Sequence, residues 1–593
     1  MTTFINKLQV DAQLWRLIIP LGLVFAPGVI TFVYIYLFAV NVPFWDEWSF
    51  VTALQLYNDG GNWLANIWAP AQPHRLFFPK LIFIYLAQLT NWNVVAQMYV
   101  SHFFAWATLA VLWLLYRQAG QKSLWGFVPV AWILFSLGQW ENILWGWQTA
   151  IYLQVFASVT AIYLLITNRL WLAILAAVVS SLSFFNGLAL WPIGFVLLAL
   201  QRAKKEWLLV WSVAAVLLLA VYFTNFEFGE SPSALNRGFV FLIAYALTTV
   251  GLPLGGVEIS LSAIMGIYFL SVILALGGQK GRKVYNGRFV FAKVDLISLS
   301  FLLFFFLSVL LIVWGRAGFG HLDWAISSRY VTILSIGVIG VYWLALDGWA
   351  KQTTTPFNQI VFTSFLTALF IGLAAHNAHG LREGILKHEE RIRLKYALQS
   401  YVYQPDSALQ GLNLIDNNFT RRYAPFLEEN ELTSFADPMT TLFITMRDAG
   451  RPAGEITPNK PVIQEFNCPT PVLRDFGLLF ATYNRGNDSQ IMVTLSSDEG
   501  VLWAWPLSTS HIADNQFHYF ILPEPVTDCA GRRLMVSIES VDGAAGNAVT
   551  VWTYPLYYEG VLRAAPDGEL VDGRVIGLEL NGAAFSMLHD HGR

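Results

Sequence analysis

Up to about residue 376 the chain alternates long apolar blocks with short polar breaks, and beyond that point its character changes. Each block is close to the roughly 20 residues that an α-helix needs to cross hydrocarbon. The pattern predicts membrane helices near 14–40, 94–117, 124–139, 148–167, 170–186, 188–202, 206–224, 258–278, 295–314, 330–349 and 358–376. The first block is too long for a signal peptide and has no small-residue cleavage site, so it is expected to be retained. One further apolar stretch, "FVFLIAYALTTVGLPLGG" (239–256), is expected to be re-entrant or to lie on the membrane surface, because Gly251, Pro253 and Gly255 break it early.

After residue 376 the segment "LREGILKHEERIRLKYALQSYV" (381–402) is charged and helical in period, and should lead away from the membrane. From about 460 short β-type runs such as "SQIMVTLSS", "QFHYFILPE" and "RRLMVSIES" alternate with turn residues. Strands at roughly 8–12-residue spacing indicate an antiparallel β-sandwich. The expected organisation is a polytopic α-helical membrane region (1–376, about eleven transmembrane helices), a helical or irregular connector (377–459), a C-terminal β-sandwich (460–575) and a tail (576–593).

Composition agrees. Of 593 residues 56% are hydrophobic and 13% charged, against roughly 25% charged in a soluble domain. Mean hydropathy is +0.51. Many of the 24 Trp and 23 Tyr fall at block ends, where amphipathic rings favour the interface. A net charge of −3 gives no reason to expect a nucleic-acid partner. With the N-terminus in the cytoplasm, the external loops hold only Arg75, Lys80, Arg237, Arg316 and Arg329, and the other basic residues between the blocks fall inside. That bias is the one expected of a multi-pass protein of the cell (plasma or inner) membrane. An odd number of crossings then makes everything after 376 extracytoplasmic. The two cysteines, Cys468 and Cys529, both lie there. Export favours a disulfide between them, and a cytosolic location would favour free thiols.

The external loops concentrate the ionisable groups. Asp46 and Glu47 stand between Trp45 and Trp48 in "VPFWDEWSF" (42–50), and His74 and Arg75 lie in "QPHRLFFPK". Glu141, Asn142 and Gln148 lie in "GQWENILWGWQ", and Arg316, Arg329 and Tyr330 in "GRAGFGHLDWAISSRY". Each group has a local reading. Asp46 and Glu47 would cap a surface helix, His74 and Arg75 would form a solvated turn, Glu141 would tie loops together, and Arg329 and Tyr330 would anchor a helix head. None of these explains why all fall on one side, and polar groups converging at a membrane edge are a site hypothesis by default.

A first helix followed at once by an external loop with an acidic pair, and then by "HRLFFPKL", resembles the GT-C superfamily of membrane glycosyltransferases. The segments "QWENILWGWQ", "FFNGLALWP" and "GRAGFG…SRY" look like an uncharacterised prokaryotic branch of that group; the resemblance covers residues 1 to about 376. It implies transfer of a sugar from a polyprenyl-phosphate-linked donor to an acceptor hydroxyl on a glycan, lipid or protein. Asp46 matches the family's catalytic acid and takes the general-base role, with Glu47 in reserve. Arg316 and Arg329, then Arg75 and His74, are candidates for the donor phosphate, which an arginine fork binds bidentately. Trp45, Trp48, Trp145, Glu141, Asn142, Gln148 and Tyr330 would line the substrate. No cofactor is certain; a divalent cation (Mg or Mn) at Glu47, His74 and Glu141 requires that the loops converge. Two alternatives stay open: a transporter or flippase for a lipid-linked sugar, and a polymerase or ligase of surface glycans. Few ionisable residues lie within the helices, which weighs against alternating access. The resemblance does not reach the sandwich, where Trp503, Trp505 and Tyr519 are either core or a surface for acceptor glycan.

Overall fold

Eight helices among the described residues are long and apolar enough to cross a membrane: Leu17–Phe38, Val94–Gln118, Gly146–Ile166, Lys205–Tyr222, Ile259–Gly278, Lys293–Phe319, Leu322–Trp349 and a stretch within Gln359–Gln399. The computed structural model describes residues 2–70, 74–226, 232–285, 291–350, 356–399, 401, 409–413, 417–437, 450–468, 472–529, 531–555, 560–564, 571 and 574–582. Three of the eleven expected crossings are realised as shorter helices. The 124–139 block forms only Val128–Leu134, followed by two brief turns, and the 170–186 and 188–202 blocks form Leu170–Ser181 and Leu190–Leu200. Short helices of this kind still need every backbone group paired, and they find cover inside the bundle.

The chain divides into two compact units. The first comprises Met1–Ala39 and Ser49–His388, the second Val40–Trp48 and Glu389–Arg593. In the first, large apolar side chains such as Leu209, Val216, Leu274 and Ile371 stay exposed, while a continuous core runs through Leu112, Ile162, Phe301 and Trp343. A membrane protein can leave one apolar face outward because the surrounding hydrocarbon solvates it.

The stretch at 239–256 departs from expectation. Its helix does not break at Gly251 or Pro253 but continues over Phe239–Gly255, then doubles back into the helix Ile259–Tyr285. Gly251 serves packing rather than interruption: a Cβ there would sit 1.8 Å from the Ser262 carbonyl oxygen. Gly266 is pressed in the same way against the Leu247 carbonyl. Small residues let two helix backbones approach this closely.

In the second unit the helix Pro356–Gln399 continues from the first without a break, so residue 376 is not a structural boundary. Eleven antiparallel strands follow among the described residues: β1 Arg451–Pro452, β2 Val462–Asn467, β3 Val472–Ala481, β4 Gln490–Ser497, β5 Gly500–Ser508, β6 Gln516–Thr527, β7 Arg533–Ser540, β8 Thr550–Pro555, β9 Gly560–Ala564, β10 Arg574–Ile576 and β11 Leu578–Gly582. One sheet runs β1-β8-β3-β11, with β10 added to β8 and β6 to β3; the other runs β5-β4-β7-β2-β9. Alternate residues turn inward, as the two-residue period of a strand requires, and Phe466, Phe476, Phe480, Val493 and Val536 from both sheets share one core. The strands begin before residue 460 and run past 575. Cys468 and Cys529 are joined by a disulfide, with Cα atoms 5.7 Å apart. Trp503 and Trp505 pack partly buried against the core, while Tyr519 is 46% exposed.

Candidate functional site

The acidic pair belongs to the second unit. Trp45–Trp48 forms a single 3₁₀ turn that begins with Trp45 at φ 50°, a left-handed conformation unfavourable for a bulky side chain. Three contacts hold it. The Trp45 N–H donates to the Leu412 carbonyl at 2.8 Å, the Trp48 indole donates to the Pro43 carbonyl at 3.1 Å, and the Arg391 guanidinium lies 3.8 Å above the Phe44 ring. Asn41, just upstream, is tied to Thr433, Ser434 and Asp437.

Within this turn the two carboxylates part company. Glu47 is fully buried, and its Oε2 accepts the Phe44 N–H at 2.7 Å. Its carboxylate closes the turn on itself, which leaves it poorly suited to the reserve catalytic role. Asp46 is partly exposed.

In the first unit, two loops distant in sequence meet. Arg329 Nε is 3.3 Å from Glu141 Oε1, and the Ser328 hydroxyl donates to Glu141 Oε2 at 3.2 Å. Asn142 donates to the Arg329 carbonyl at 2.9 Å and is 2.7 Å from the Thr332 hydroxyl. That hydroxyl in turn donates to Gln139 at 2.6 Å, where the Tyr152 hydroxyl also arrives. The Trp145 ring lies 5.9 Å from the Arg329 guanidinium carbon. Gln148 is buried in the turn that starts the following helix. Arg316, at the end of Lys293–Arg316, acts electrostatically on His74 and on the phenol of Tyr245, which also senses Arg329, Tyr330 and Asp323.

His74 stacks on Phe184 with ring centroids 4.0 Å apart, and its Nδ1 accepts the Phe185 N–H at 3.4 Å. Desolvation, reinforced by the charge of Arg316, pushes its pKa down to about 3. It therefore stands as a neutral ring at physiological pH and offers no cation to a phosphate.

Two other candidate cations are spent on structure. The Arg75 guanidinium donates to the carbonyls of Tyr222, Trp68 and Thr224 and covers the Trp68 ring, with only 1% of the residue exposed. A fork saturated by three carbonyls has little left for a phosphate. Lys80 likewise donates to the carbonyls of Asn66 and Ala69. Among the described residues no group of three or more His, Cys, Asp or Glu is arranged to hold a metal ion. Glu47 lies in one unit, and His74 and Glu141 in the other.

Sequence reasoning did not single out Gln139, Ser328, Thr332 or Tyr245. The first three adjoin residues it did choose. Tyr245 had one available signal: a phenol in the middle of an apolar helix.

An apolar groove of about 780 Å³ opens in the same unit between the end of Phe239–Gly255, the start of Ile259–Tyr285 and the helix Pro356–Gln399. Its wall includes Leu254, Met265, Tyr268, Ile371 and His376. His376 donates to the Leu252 carbonyl at 3.1 Å and packs on Gly138, where a Cβ would lie 1.8 Å from its Nδ1. Gly138 immediately precedes Gln139, so the groove adjoins the polar cluster. Compared with protein-family models, curated proteins and solved structures, the chain has no match in any of the three.

Proposed function

We propose that this protein is a membrane glycosyltransferase that moves a sugar from a polyprenyl-phosphate-linked donor to an acceptor hydroxyl on the extracytoplasmic face. The observation that carries the reading is the adjacency, within one unit, of an apolar groove and the hydrogen-bonded cluster that holds Arg329. An amphiphile with an isoprenoid tail and an anionic head has that polarity. The tail would lie along the groove, and the head would meet the arginines, whose donors suit phosphate oxygens. Glu141 and Asn142 hold the Arg329 segment, and the buried Trp145 ring packs near its guanidinium.

Asp46 is the general base in this proposal. It would take the proton of the acceptor hydroxyl as the glycosidic bond to phosphate breaks, and the phosphate would leave as an anion held by the arginines. Its partial exposure supports it over Glu47. The C-terminal sheets are a β-sandwich, exported with the acceptor side of the reaction. The disulfide supports that side, because such bonds persist in oxidising compartments.

The test is Asp46→Asn in membranes, assayed for sugar transfer and for donor binding. Loss of a positioned base costs about 10²–10⁴ in rate. Transfer should fall by that much while donor binding survives. Near-normal transfer removes Asp46 from the mechanism. A lipid-linked sugar that crosses the bilayer in wild type without being transferred would replace the enzyme reading with that of a flippase.

A further inference from the structure

The Tyr245 hydroxyl is one of the buried polar groups of the helical unit without a hydrogen-bond partner among the described residues. It is fully buried in the middle of Phe239–Gly255. Its ring belongs to the apolar core and lies 6.1 Å from that of Phe241, while the charges of Arg316, Asp323 and Arg329 reach its hydroxyl. The helix that carries it packs against the turn Leu322–Ile326, which lies between the two arginines along the chain, and against the helix Val331–Ala350, which starts two residues after Arg329. A buried hydroxyl without a partner is normally eliminated or satisfied. An O–H donor left open on a helix packed against the segment between two arginines offers a hydrogen bond to an anion.

We propose that Tyr245 is a third donor of the anion site, giving its O–H to an oxygen of a phosphate that Arg316 and Arg329 attract. The inference rests on the donor reading above and extends it to a residue on a different helix. The same helix then leads to the groove. Leu254, which lines the groove, is nine residues further on, or about 13 Å at 1.5 Å per residue. One helix thus touches both the head and the tail of the ligand, and occupancy of the groove and of the anion site should be coupled through it.

The chemistry is a hydrogen bond from a neutral phenol to an anionic oxygen, with no proton transferred. Removing one such bond to a charged group weakens binding by about ten- to a hundredfold. Tyr245→Phe deletes only the oxygen atom. Because that oxygen makes no hydrogen bond within the described protein, the change should leave the thermal midpoint of the ligand-free protein unchanged.

The experiment uses the full chain in detergent and measures binding of farnesyl phosphate, farnesol and inorganic phosphate by tryptophan fluorescence and by thermal shift. Wild type should prefer farnesyl phosphate to farnesol. Tyr245→Phe should lose about ten- to a hundredfold in farnesyl phosphate affinity, with farnesol binding unchanged. A wild type that does not discriminate the two prenyl compounds overturns the donor reading itself. A wild type that responds equally to inorganic phosphate, with nothing gained from the prenyl chain, keeps Tyr245 as an anion donor and removes the lipid. Retention of full phosphate preference in Tyr245→Phe overturns the Tyr245 assignment, as does a lowered midpoint of the ligand-free variant without loss of affinity.

Discussion

Glu47 and Glu141 sit beside tryptophans in short polar turns between apolar blocks, and in sequence they look interchangeable. In the fold, Glu47 is sealed from solvent with its Oε2 on the N–H of Phe44, three residues away. Glu141 keeps 14% of its side chain exposed and reaches across to Arg329 and Ser328 from a remote segment. A buried carboxylate that accepts an N–H from its own turn braces local folding. A carboxylate satisfied by a distant loop shows that the tertiary structure has spent effort on bringing two polar segments together. The second pattern marks a site, and the first marks a brace.

The largest expected effect sets Asp46 against its neighbour: Asp46→Asn should abolish most transfer, and Glu47→Ala should chiefly lower the denaturation midpoint. Leaving the buried Phe44 N–H without its acceptor costs about 1–3 kcal/mol, measurable by denaturant or thermal unfolding. If Glu47→Ala proves neutral for stability yet silent in transfer, the brace and the base have been assigned the wrong way round.

An intermediate effect is expected from His74. Its ordinary pKa of 6.5 falls to about 3 in the fold. The unfolded chain therefore binds a proton that the folded protein does not between those values, and stability falls as pH drops from about 6.5 towards 3. His74→Gln should flatten that part of the profile of thermal midpoint against pH. An unchanged slope would show that other groups carry the acid sensitivity.

The smallest effect concerns the Glu141–Arg329 pair. Both side chains are partly solvated, so Glu141→Gln should change stability by less than about 1 kcal/mol. Removing a carboxylate that competes for the guanidinium should raise affinity for farnesyl phosphate. A fall in affinity instead would mean that Glu141 orients Arg329, and the comparison with Glu47 would narrow.

Hydropathy made the membrane class and most long helices legible, because twenty apolar residues in a row leave little alternative. It failed where the cause was packing. Gly251 and Pro253 read as breakers, yet the helix runs through them because the partner helix needs the space beside Gly251. The loops holding Glu141 and Arg329 were legible as polar islands, but their pairing depends on tertiary contacts that no spacing encodes. Arg75 shows the converse error. A cation in an external loop looked available, whereas the carbonyls of Trp68 and of the distant Tyr222 and Thr224 engage it. Tyr245 was hidden because its neighbours in sequence are apolar, and only the fold leaves its hydroxyl buried without a partner among the described residues.

The nine-residue segment Val40–Trp48 is flanked on both sides by the helical unit but counts with the sheet-bearing unit. The two units are therefore interleaved along the chain, and no single cut separates them. A fragment starting at Glu389 would leave Thr433, Ser434 and Asp437 without Asn41, and Leu412 without Trp45. Such a fragment should recover its native contacts only when a peptide spanning residues 40–48 is supplied in trans. The sheet-bearing unit is thus not a cassette that recombination could move between membrane proteins in one piece. Any ancestor that acquired it had to gain the short segment after its first helix as well.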